Sequence, residues 1–134
     1  KTVPGAVTVD TEITSRPEFK AALKRLSEYS ALIKDTTTKF AANPTSYDVA
    51  GTVKATMKVD DIRSSLNIVN EAFDEETQRV TDKVVRGIIQ DIGEIITNSA
   101  LKPGTSRTPK KIDRTTLWLS KISADFDHLL AFYK

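Results

Sequence analysis

Between Val80 and Ile96 an apolar residue returns every third or fourth position, as Val80, Val84, Ile88, Ile92 and Ile95, with Val85, Ile89 and Ile96 alongside. Ile and Val suit strands, but a half-buried strand needs alternation of period two. A period of three to four lays one wide stripe along a helix. The same spacing recurs elsewhere. Phe19, Ala22, Leu23, Leu26, Tyr29, Ile33 and Phe40 form one stripe; Val59, Ile62, Leu66, Val69 and Phe73 form another, continued less cleanly upstream by Val49, Val53 and Met57. Ile112, Thr116, Leu119, Ile122, Phe126, Leu129 and Tyr133 form the last. Four amphipathic helices leave water only by facing one another.

The punctuation between the stripes places their ends. Ser15-Arg16-Pro17-Glu18 reads as a capping box with a first-turn proline, and Asn43-Pro44 ends the helix it opens. The second helix is expected from about Ser46 to Phe73, weakened near its start by Gly51. Asp74-Glu75-Glu76 holds no Gly or Pro, yet one helix from 46 to 98 would run about 80 Å, too long for a compact domain of this size. A turn is therefore expected around 74–77, with a third helix from about Glu76 to Ser99 that should be the most buried. Lys102-Pro103-Gly104 marks a loop, and Thr108-Pro109 starts the last helix. Residues 1–14 read as an extended arm and 15–134 as the bundle. The expected fold is all-α: an up-and-down four-helix bundle with an extended N-terminal arm. Its core should hold Leu26, Ile33, Leu66, Val69, Val84, Ile88, Ile92, Leu119, Ile122, Phe126 and Leu129.

Composition narrows the chemistry. Twenty Lys and Arg against eighteen Asp and Glu give a net charge of +2, too even for a chain built to neutralise a nucleic-acid backbone. Without cysteine there are no disulfides, thiolate metal sites or thiol nucleophiles. No stretch reaches the roughly 18 apolar residues a membrane span needs. The start at Lys1, without Met, reads as processed or truncated. His128, the single histidine, has Asp125 and Asp127 near it but no second His, and reads as a half-exposed surface residue. Inward Glu-x-x-His pairs, a nucleophile with a base partner and a glycine-rich phosphate loop are all missing. The expectation is a non-enzyme with no cofactor and no metal. Trp118 reads as a core-flanking or exposed side chain and a possible interface anchor.

Charge is unevenly spread. Lys102, Arg107, Lys110, Lys111 and Arg114 face one acid, Asp113, between 101 and 114. Between 60 and 82, seven acids face Arg63 and Arg79. In an up-and-down bundle the Asn43-Pro44 loop and the basic loop share one end and the acidic turn takes the other. The five cations are the candidate partner-binding residues.

The helix carrying Asp61-Ile62-Arg63-Ser64-Ser65-Leu66 leads through an acidic turn into Val84-Val85-Arg86-Gly87-Ile88-Ile89-Gln90-Asp91-Ile92. A Lys-Pro loop then precedes a last helix ending Ile122-Ser123-Ala124-Asp125-Phe126-Asp127-His128-Leu129-Leu130. This order resembles the PsbQ-type extrinsic subunits of photosystem II, over about residues 15–134 and most strongly in the second half. The arm lacks the proline-rich stretch of plant members and is closer to algal members or the diatom-specific PsbQ-like extrinsic protein. The resemblance implies a four-helix bundle that is monomeric when free. It implies docking in the plastid thylakoid lumen on the photosystem II core and other extrinsic subunits, peripheral to the membrane and without nucleic acid. The role would be to help retain the calcium and chloride that oxygen evolution needs. Two other readings stay open: a secreted or cytosolic helical interaction module with an unrelated partner, and a carrier for a small apolar ligand.

Overall fold

The computed structural model describes residues 9–133. Helix accounts for 78% of them, above the two thirds expected, and no strand forms among them. The helices are α1 (Thr11–Thr14), α2 (Pro17–Ala42), α3 (Val49–Thr56), α4 (Val59–Asn70), α5 (Glu75–Ser99) and α6 (Pro109–Ala131).

The second expected helix, 46–73, is two helices. In one continuous helix Met57 and Ile62 would point about 140° apart at 3.6 residues per turn. Non-helical backbone at Met57 (ψ 87°) and Lys58 (ψ 98°) interrupts the helix there. Val49, Val53 and Met57 on one side of the break and Ile62, Leu66 and Val69 on the other are then all buried. Gly51 has a local use as well: a Cβ there would fall 2.1 Å from an Asp48 carboxylate oxygen, and Asp48 caps α3 by accepting from the Gly51 N–H.

The turn before α5 lies at 71–74, slightly earlier than expected, and Asp74 caps α5 by accepting from the Thr77 N–H at 2.7 Å. Asn43 ends α2, and Thr108 caps α6 ahead of Pro109, as the sequence suggests. The capping box at Ser15 does not form. Ser15 donates to the Glu12 carbonyl and closes α1, and α2 begins at Pro17 with no side-chain cap. The arm is extended only in part among its described residues. Val9 bridges Phe73, Asp10 donates its N–H to the Ala72 carbonyl, and α1 adds a helical turn capped by the Asp10 carboxylate. Residues 1–8 of the expected arm lie outside the described residues.

Both α3 and α4 pack against α2 and α5, and α6 packs against α2 and α5. The expected core is buried except for Val84, which is half-buried. The buried line of α5 runs through Thr77, Thr81, Ile88, Asp91, Ile92, Ile95 and Ser99; Val84 lies on the same face but is covered only in part. The wide apolar arc of α5 therefore does not make it the most buried helix: it buries seven side chains and α2 eight. Phe73 stacks on Tyr133 and meets Phe132 edge-on, and Phe19 meets Tyr133 edge-on, so the start of α2, the turn before α5 and the end of α6 come together.

Ile88→Ala and Ile122→Ala, each removing a fully buried side chain, should destabilise the protein by about 2–5 kcal/mol. Thermal melts check this, and unchanged melting of either variant would mean that its stripe is wrongly phased.

Candidate functional site

Residues 100–108 connect α5 to α6 and set up the basic end. Gly104, at φ 77°, makes the bend, and Thr105 closes it by donating both its N–H and its hydroxyl to the Lys102 carbonyl. Arg107 then turns inward and is only 4% exposed. Its Nε donates to the Ser99 carbonyl and its Nη1 to the Pro44 carbonyl, each at 3.1 Å, and its guanidinium lies 5.3 Å from the Phe40 ring centroid. Its N–H donates to the Thr45 carbonyl at 2.8 Å. Burial pulls the Arg107 pKa down from its ordinary value, and the charge of Asp48 works against that shift. The 43–46 loop and the basic loop are thus tied together at one end, as expected. Arg107 itself is corrected from a docking cation to a tie inside the fold.

The other four expected cations face outward. Lys102, Lys110 and Arg114 are exposed, Lys111 is half-buried, and none makes an ion pair among the described residues. They line two adjoining grooves. One, of about 480 Å3, runs past Lys102, Thr105, Thr108 and Lys111; the other, of about 360 Å3, past Asn98, Lys110, Lys111 and Arg114. Unpaired ammonium and guanidinium groups around concave, hydroxyl-lined surface suit carboxylates, which accept charge-assisted hydrogen bonds.

A second polar cluster, between α5 and α6, was missed in the sequence. Asp91 is fully buried, and the Lys121 ammonium donates to it and to Asp125, each at 2.9 Å. The second Asp91 oxygen has no hydrogen-bond partner. Burial, reinforced by the Asp125 carboxyl, pushes Asp91 up to about 7, while Lys121 holds it back. The signal was its position: Asp91 lies three residues after Ile88 and four before Ile95, on the buried stripe. Asp61 accepts the Tyr29 hydroxyl at 2.6 Å, and Ser65 accepts from the Arg25 Nε at 3.0 Å, joining α4 to α2.

His128 is exposed and meets Phe132 edge-on at 5.5 Å. Among the described residues no three His, Asp or Glu side chains gather where a metal would bind. Trp118 is half-buried, with the Lys121 ammonium 5.9 Å from its ring centroid. No described helix is long and apolar enough to cross a membrane. Comparison with protein-family models, curated proteins and solved structures finds no match.

Two outcomes test these contacts. Arg107→Ala leaves the Ser99 and Pro44 carbonyls short of a donor and should destabilise the fold by about 1–3 kcal/mol, read by thermal melting. Asp91 binds its proton more tightly folded than unfolded, so its effect on stability is largest and favourable at low pH and is lost as pH rises from about 4 to about 7. The melting temperature should rise as pH falls from 8 to 5, and Asp91→Asn should flatten that rise.

Proposed function

We propose that this chain is an up-and-down four-helix bundle, with α3 and α4 sharing one of the four positions, and a non-catalytic extrinsic subunit of the PsbQ type. In this reading it docks in the plastid thylakoid lumen on the photosystem II core and neighbouring extrinsic subunits, without spanning the membrane. By covering that surface it supports oxygen evolution and helps retain calcium and chloride. Supporting the topology, α2, the α3–α4 pair, α5 and α6 pack in a closed circuit, with the Arg107 tie and the aromatic cluster at different helix ends.

The observation that carries the docking role is the set of four unpaired cations, Lys102, Lys110, Lys111 and Arg114, around two grooves at one end of the fold. Clustered like charges steer encounter with an acidic surface better than the same charges dispersed. The order of segments shared with PsbQ-type subunits supplies the partner.

Reversing Lys110 and Lys111 to Glu should lower rebinding to salt-stripped photosystem II membranes about tenfold or more at low salt, with helicity and melting unchanged. Wild-type rebinding should also fall with added salt, because exposed charges are screened within about 8 Å at physiological ionic strength. Undiminished rebinding of the reversed variant at low salt would move the docking site elsewhere. A wild-type chain that does not rebind would overturn the photosystem reading.

A further inference from the structure

Leu117 is 62% exposed on α6, although Leu119, Ile122, Phe126 and Leu129 on the inner side of that helix are fully buried. The other large hydrophobic side chain exposed among the described residues, Leu32 on α2, is 37% exposed. A single surface leucine is ordinary, but the setting of Leu117 is not. Lys110, Arg114 and Leu117 follow at intervals of four and three, on successive turns of one face of α6. Lys110 and Arg114 also line the groove beside Asn98 and are without ion-pair partners among the described residues. One turn further on, the Lys121 ammonium is engaged by Asp91 and Asp125. The outward stripe therefore presents two cations without ion-pair partners among the described residues, one acid, Asp113, and one exposed apolar side chain.

We infer that this stripe is an interaction surface with Leu117 as its apolar anchor, and that its partner is an acidic protein surface with an apolar socket sized for leucine. The inference rests on the docking reading above and deepens it by adding a contact that charge alone does not supply. Charges speed encounter and set its salt dependence, whereas an apolar side chain seated in a dry socket slows departure. A lipid surface fits less well. A helix lying in a membrane interface buries a continuous apolar face, and that face of α6 is already packed inside the protein.

The test compares wild type with Leu117→Gln and Leu32→Gln for retention on salt-stripped photosystem II membranes over a series of salt concentrations. Gln forms helix well, and unchanged circular dichroism and melting verify the fold. Leu117→Gln should weaken retention about tenfold or more at every salt concentration while leaving the salt slope as in wild type. Leu32→Gln should bind like wild type. Equal retention of Leu117→Gln and wild type overturns the anchor alone. An equal loss in Leu32→Gln overturns the assignment to this face. Equal wild-type retention on protein-free vesicles of anionic lipid overturns the protein partner. Absence of wild-type retention on the stripped membranes overturns both this inference and the photosystem reading.

Discussion

A stripe of apolar side chains along a helix faces one direction, and every stripe in this protein has to face the same interior. Four segments of the chain meet that demand. Between Met57 and Ile62 the spacing runs five residues, and a continuous helix would turn one half of the segment toward solvent. The backbone at Met57 and Lys58 is non-helical, and α3 and α4 both present their stripes to α2 and α5. The break falls without Gly or Pro because it answers a demand on phase, not a local inability to form helix. Asp60 and Asp61 then occupy the first turn of α4, where negative charge is favourable.

Apolar stripes alone leave helices free to slide and rotate, since one methyl group replaces another at little cost. Register comes from polar contacts placed across the interfaces. Tyr29 and Arg25 meet Asp61 and Ser65 between α2 and α4. Asn70 accepts the Thr81 hydroxyl and donates to Asp82 between α4 and α5. Lys121 meets Asp91 between α5 and α6. A buried polar group left unmatched costs more than its hydrogen bond contributes when formed. These contacts therefore act mainly by penalising wrong alignments. Asp91 is the extreme case: fully buried, it relies on Lys121 and on a proton held near Asp125.

This division of labour explains how much was legible in the sequence. The stripes of α2, α5 and α6, the cap at Thr108 and the end at Asn43 depend on spacing and local chemistry, and all are readable. The split of the second helix was half visible in the less clean spacing of Val49, Val53 and Met57, but it becomes necessary only once both halves must reach one core. Ser15 looked like a cap, yet it closes α1, whose existence depends on Asp10 and on contact of the arm with residues 72 and 73. Arg107 looked equivalent to its basic neighbours. Its different fate follows from carbonyls at Ser99, the last residue of α5, and at Pro44 in the 43–46 loop, which no local pattern brings together. Asp91 was the more readable of the two buried charges, because it interrupts an apolar stripe.

The two ends of the molecule are closed by different means, and that difference bears on which of them meets a partner. Where the start of α2 meets the end of α6, Phe19, Phe73, Phe132 and Tyr133 pack on one another, and the Tyr133 hydroxyl donates to the Val69 carbonyl at 2.5 Å. That end is sealed by its own aromatic rings, with the Asp74–Glu76 acids outside them. Where the loops of 43–46 and 100–108 meet, one guanidinium makes the closure, donating to the carbonyl that ends α5 at Ser99 and to that of Pro44. Lys102, Lys110, Lys111 and Arg114 take no part in that tie. They remain at the surface without ion-pair partners among the described residues, and the mutual repulsion that Asp113 does not offset is relieved by counter-ions or would be relieved by an acidic surface. The Arg107 tie holds the loops of that end together in advance. In the docking proposed above, an acidic partner would meet cations on positioned backbone, and less conformational freedom would be lost than with a flexible basic loop.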